Sequence, residues 1–197
     1  MNFQFQTGSA EEKTRAVSQF LPILQQVGDH QLRDRIAEVY VNVLQDSNWE
    51  RVEDACFGIH FQQQKVIDHI RVVTESAYTA AKLMNQYQNL GLDLDVVLGL
   101  GLLHDVSKFL EFEPDGEGGA RYSPIGNNIQ HGVAGAYYAK KAGFSWEWLQ
   151  LIISHTPQSN NRPCRKEGFR FGLIDLADAD QIAIAYDPHF PLFYDKL

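Results

Sequence analysis

Cysteine is nearly missing from this chain. Two cysteines among 197 residues, Cys56 and Cys164, stand far apart and form no C-x-x-C pair, which argues against a disulfide framework and a thiolate metal site. Long apolar runs are also lacking. The longest, Val96 to Leu103, falls far short of the roughly 20 residues that cross a bilayer. The opening "MNFQFQTGSAEEKTR" has no cationic start followed by an apolar core, so a cytoplasmic location without export or a membrane partner is the expectation. Positive charge is scarce too. Lys and Arg number 17 against 25 Asp and Glu, a net charge of −8, which disfavours extended nucleic acid as a partner. A small anionic ligand held by metal and a few cations remains compatible with that balance.

What is present reads as helices. Apolar residues recur at three- and four-residue steps through Ala16, Val17, Phe20, Ile23, Leu24 and Val27, behind a Ser9-Ala-Glu-Glu capping box. Pro22 should bend or break this helix, and Gly28 should end it. A second helix is expected over about 31–45, and the stretch after it, "WERVEDACFGIHFQQ", has no clear period. Val66, Ile70, Val73, Ala77, Ala80, Ala81 and Met84 form the stripe of a third helix, with His69 inside it. "NLGLDLD" stops that helix, and Asp93 or Asp95 caps the next, expected over about 96–110.

The Gly-, Pro- and Asp-rich "EFEPDGEGGARYSPIGNN" reads as a long loop of the kind that covers active sites. A helix follows with Ile129, Val133, Ala136 and Tyr137 on one side and Gly143 at its end. Ser145 caps "WEWLQLIISH", "PQSNNRPCRKEG" is a further loop, and "RFGLIDLADADQIAIA" is a last apolar helix. The expected fold is an all-α bundle, with residues 1–60 as a helical N-terminal extension and 61–197 as the main domain.

Within the second half, successive helices each carry a metal-capable residue in an apolar setting: His69, the His104-Asp105 pair, His131, His155, and an acid in "LADAD". A lone helical histidine is usually a core or surface residue, and His30, His60 and His189 are assigned to that background. The ordered set is different. An unpartnered buried carboxylate costs several kcal/mol or stays protonated, so a bundle that gathers these groups needs something cationic at its centre. Imidazole and carboxylate suit iron, manganese, zinc and similar ions, and bundles build such sites from side chains projecting inward.

The pattern H…HD…H…H…D, with HD in "LLHDVSK", resembles the HD-domain superfamily of metal-dependent phosphohydrolases over about 66–183. The histidines at 131 and 155 resemble those of its binuclear members. The resemblance implies one divalent transition metal held by His69, His104, Asp105 and a terminal aspartate, and a second held by His131 and His155, with Asp105 bridging. Adjacent helical positions differ by about 100°, so His104 and Asp105 could embrace one ion while Asp105 reaches the other. Lys108 matches the lysine of the HD-x-x-K form and is a candidate contact for substrate phosphate.

The terminal acid is either Asp180, with apolar helix neighbours Leu173, Leu176, Ala177 and Ile184, or Asp178, with a more polar set; Asp180 is preferred. Arg162, Arg165 and Lys166 form a basic cluster that would either bind substrate phosphate or face solvent. Arg71 is read as a solvated residue, and Glu111 as an ion-pair partner of Lys108 or a group supporting the metal site. Tyr137, Trp146 and Trp148 are read as core residues rather than a base-binding pocket.

The expected activity is hydrolysis of a phosphoester or phosphoanhydride in a small nucleotide-like or other phosphorylated metabolite by metal-activated water. Catalysis would rest on Asp105 and Lys108. Two rivals share the ligand set or the fold: a mixed-valence diiron oxygenase acting on a polyol or phosphonate, and a non-catalytic sensor or interaction module. The amphipathic faces of the N-terminal helices fit either a homodimer interface or docking onto their own bundle.

Overall fold

The computed structural model describes residues 8–60 and 62–155. Its first helix, α1 (Ala10–Phe20), starts at the capping box read from the sequence. Ser9 Oγ accepts from Glu12 N, and Glu12 Oε2 accepts from Ser9 N at 2.7 Å. Proline acts as expected. α1 stops two residues before Pro22, which opens a 3-10 turn, Pro22–Gln26. The second helix, α2 (His30–Asp46), begins at Asp29, whose carboxylate accepts from the amides of Gln31 and Leu32.

The stretch without a period contains a short 3-10 turn, Val52–Asp54, and an isolated antiparallel bridge between Cys56 and Lys65. It leads into α3 (Val66–Gln88), which ends at Asn89 in the left-handed conformation, φ 54°. Asn tolerates that conformation better than most residues. Asp93 caps α4 (Leu94–Leu103), accepting from Asp95 N and Val96 N.

The expected helix over 96–110 is interrupted. α4 ends at Leu103, residues 104–107 form a turn, and a single-turn helix α5 (Lys108–Glu111) follows. The local cause is a competing hydrogen bond: Nδ1 of His104 lies 2.7 Å from the carbonyl of Gly101. That carbonyl is the acceptor the Asp105 amide would use in a continuing helix.

The long loop is also corrected. It holds an antiparallel hairpin of β1 (Phe112–Pro114) and β2 (Ala120–Tyr122), in register Phe112 to Tyr122 and Pro114 to Ala120. The Asp115 carboxylate closes its tip by accepting from the amides of Glu117 and Gly119. The hairpin leaves the architecture mostly helical.

α6 (His131–Lys141) and α7 (Trp146–Ser154) form the last described helical pair. Of the apolar side expected for α6, Ala136 is buried and the other three residues are not. Ile129, Val133 and Tyr137 are 45, 44 and 60 % exposed, whereas Gly132, Ala134, Gly135, Ala136, Tyr138 and Ala139 are buried. Small residues let α6 approach its neighbours closely, and Tyr138 enters to donate its hydroxyl to Asp46 at 2.6 Å. Trp146 is likewise exposed, while Trp148 packs against the core.

The core is continuous from the N-terminal helices to α7. Ile36, Val39, Tyr40 and Val43 of α2 share one apolar cluster with Ile67 and Ile70 of α3, Leu98 and Leu102 of α4, Phe109 of α5 and Ile152 of α7. α4 is buried along most of its length, and its glycines set the spacing. A methyl group on Gly101 would lie 2.9 Å from Cα of Thr74 on α3, and one on Gly99 would lie 2.7 Å from the Trp148 ring. Close approach of α3 and α4 is what brings His69 opposite His104. Among the described residues no helix is long and apolar enough to cross a membrane.

Candidate metal centre

Five side chains converge where helix ends meet. His69 stands in the first turn of α3, His104 directly follows α4, and Asp105 lies in the turn after it; His131 begins α6, and His155 directly follows α7. His69, His104, Asp105 and His155 are each at most 4 % exposed, and the His131 side chain is 17 % exposed. All five thus stand at or beside helix ends. The break after α4 lets Asp105 enter the centre between two pairs of imidazoles.

Asp105 divides the group in two. Its Oδ2 lies 3.2 Å from Nε2 of His69 and 3.6 Å from Nε2 of His104. Its Oδ1 lies 3.1 Å from Nε2 of His131 and 3.3 Å from Nε2 of His155. Within the pairs, the Nε2 atoms are 3.4 Å apart for His69 and His104 and 3.0 Å apart for His131 and His155.

The outer ring nitrogens explain which face each imidazole turns inward. Nδ1 of His104 donates to Gly101 O at 2.7 Å, and Nδ1 of His155 to Ile152 O at 2.6 Å. Since a carbonyl only accepts, both rings carry a proton on Nδ1, which leaves Nε2 as the inward nitrogen and the one that can offer a lone pair in the neutral ring. Nδ1 of His131 lies 3.3 Å from Glu111 Oε2, another acceptor. This donor set fits divalent transition ions: two groups, each of two imidazole nitrogens and one carboxylate oxygen, sharing a carboxylate. Hydrogen-bonded outer nitrogens are the usual companions of metal-ligating histidines.

Lys108 is next to the centre and largely enclosed. Its Nζ lies 3.2 Å from Glu111 Oε2, 4.5 Å from the centre of the Phe57 ring and 5.7 Å from that of Phe112. Phe57 also stacks on His69, with ring centres 4.2 Å apart. Glu111 therefore serves both readings made from the sequence, as ion-pair partner of Lys108 and as support for His131. Phe57 carried no signal, because it lies in the stretch without a period.

Electrostatics follow from this packing. Burial raises the Asp105 carboxyl, but Lys108, His104 and His131 outweigh it and hold the group well below the usual carboxylate range. Glu111 behaves alike: burial pushes it up, and His131 and Lys108 bring it below its ordinary value. For His131, burial and the Lys108 charge act downward, yet Asp105 and Glu111 leave it raised on balance.

The backbone around the centre is pinned as well. Ser107 Oγ donates to the carbonyl of His131, tying the turn after α4 to the start of α6. Arg71, by contrast, points to structure. Its guanidinium donates to the carbonyl of Phe20 and to Asp68. His30 contacts Arg33 and His60 is exposed, in line with their assignment to the background. Asp178, Asp180, Arg162, Arg165, Lys166, Cys164 and His189 lie outside the described residues.

The model of the HD domain matches residues 66–184. The chain belongs to the HD-domain family. The match starts at the first residue of α3 and takes in every residue of the centre, and the family is in general one of metal-dependent phosphohydrolases. No curated protein and no solved structure matches the chain.

Proposed function

We propose that this HD-domain protein is a metal-dependent phosphohydrolase acting on a small phosphorylated metabolite. The reading is carried by Asp105, whose two buried carboxylate oxygens each face a separate pair of inward Nε2 atoms. In it, His69, His104 and Asp105 hold one divalent ion, and Asp105, His131 and His155 hold another. Such ions, when bound, supply the acidity that yields hydroxide from water near neutral pH and the charge that offsets developing negative charge on phosphoryl oxygens.

The chain's own residues supply orientation and charge. Gly101 and Ile152 carbonyls keep His104 and His155 in the tautomer that presents Nε2, and Glu111 does the same for His131. The Phe57 ring shields one side of His69 from water. Lys108 adds a positive charge beside Asp105, held in place by Glu111 and the two phenyl rings. Within this reading Asp180, with Asp178 as its alternative, completes the first ion's ligands, and Arg162, Arg165 and Lys166 are candidate contacts for the phosphate.

The test is elemental analysis of freshly purified protein, followed by phosphate-release screening of phosphorylated metabolites with the metal found. Metal-dependent phosphate release that is lost in Asp105→Ala supports the reading. Activity without metal, or oxygen uptake by iron-loaded protein with no phosphate released, overturns it.

A further inference from the structure

Three of the four histidines in the centre have an oxygen acceptor at Nδ1. The fourth, His69, meets the side-chain amide of Gln64, whose Nε2 lies 3.5 Å from Nδ1. The other end of that amide, Oε1, is buried and has no hydrogen-bond partner among the described residues. An amide oxygen and nitrogen are nearly identical in size, and half a turn about the last side-chain bond exchanges them. That exchange puts Oε1 beside Nδ1 of His69 and the amide nitrogen where Oε1 stood, with every heavy-atom position otherwise unchanged. The choice therefore falls to the ring: an oxygen at Nδ1 is what the other three histidines of the centre have.

The two orientations have opposite chemical consequences. If the amide nitrogen donates to Nδ1, the imidazole proton must sit on Nε2, pointing at Oδ2 of Asp105 at 3.2 Å. If Oε1 accepts from Nδ1, Nε2 carries a lone pair, like its counterparts on His104 and His155. We propose that Gln64 is a positioning residue for His69: its Oε1 accepts the Nδ1 proton and so presents Nε2 of His69 to the centre. Gln64 is itself fixed from outside the side chain, because its carbonyl accepts from the amide of Phe57, the residue whose ring stacks on His69. The segment before α3 thereby holds the imidazole by an edge and a face together.

This proposal rests on the metal-centre reading above, but its first measurement does not. In metal-free full-length protein labelled with nitrogen-15 at histidine, long-range proton–nitrogen spectra report which ring nitrogen carries the proton, and loss of a signal in His69→Gln assigns it. The expected result is His69 protonated on Nδ1 in the unaltered chain, with a shift towards the Nε2 form in Gln64→Leu. Manganese binding by equilibrium dialysis is the second measurement. Gln64→Leu should lower affinity by about 10- to 100-fold, and Gln64→Glu, which keeps an acceptor oxygen, should restore it.

A His69 protonated on Nε2 in the unaltered chain overturns the proposal, whether or not Gln64→Leu folds. So does a folded Gln64→Leu with unchanged tautomer and affinity. An unaltered chain that binds no manganese, zinc or iron but shows the Nδ1 tautomer overturns the metal reading and leaves the Gln64 hydrogen bond supported.

Discussion

The hydroxyl of Tyr40, fully buried on α2, donates to the carbonyl of Leu102 on α4 at 2.5 Å. Burial, and then the nearby charge of Asp105, push this hydroxyl well above the usual tyrosine range, so it stays a donor. Leu102 lies two residues before His104, so the bond ties the N-terminal helices to the metal centre. Tyr40→Phe leaves that carbonyl buried and unsatisfied. A loss of about 1–3 kcal/mol in unfolding free energy is expected, read by urea denaturation of the full chain.

Gly101→Ala should act on the centre from a distance. The added methyl would lie 2.9 Å from the Thr74 backbone, so α3 and α4 must separate. Overpacking of this kind costs about 1–3 kcal/mol, read by thermal or urea unfolding. Because His69 sits on α3 and His104 directly follows α4, manganese affinity should fall more at their group than at His131 and His155. Single-site metal titrations in a His131→Ala background would separate the two.

Replacement of Asp105 and of one histidine should differ in stoichiometry. Asp105 contributes an oxygen to both groups, whereas His131 belongs to one. Metal content per chain, measured by elemental analysis, should drop at both groups in Asp105→Ala. In His131→Ala one ion should be retained. Equal losses in the two variants would contradict a shared carboxylate.

Metal-free protein should be most stable in a mildly acidic window. The Asp105 and Glu111 carboxyls are held below their ordinary values, so their contribution is present above the unfolded carboxylate range near about pH 4. It is lost as pH falls through their lower folded values. His131 is raised, so its contribution is complete below its unfolded value of about 6.5 and is lost as pH rises through the folded one. Urea midpoints from pH 3 to 9 should show both limbs. Glu111→Gln should move the alkaline limb to lower pH, since Glu111 is one of the groups raising His131.

Much of the fold was legible because its signals are local. The capping box at Ser9, the break at Pro22, the stripe of α3 and the cap at Asp93 each involve neighbours within one or two turns. The errors came from contacts between distant segments. Small residues on α6 are buried because other helices come close, so its periodicity marks Val133 and Tyr137, which are exposed, and passes over Tyr138, which reaches Asp46. The turn after α4 is hidden by its apolar composition, since only the folded His104 ring reveals the competition for the Gly101 carbonyl. The ordered histidines and the HD pair marked the residues that meet in space, but not that Asp105 stands between two imidazole pairs. Phe57 and Gln64 had no periodic pattern to announce them.

The shared core of α2 and α4 bears on how this chain can be divided. The HD match begins at residue 66, yet Ile36, Val39, Tyr40 and Val43 lie in one cluster with Leu98, Leu102 and Phe109. A fragment started at the match would bare that apolar wall, along with the Leu102 carbonyl, to solvent. Such a fragment is expected to aggregate on expression, whereas the full chain stays dispersed. The half that matches the family is not a portable one, and any assay of its chemistry has to carry the N-terminal helices along.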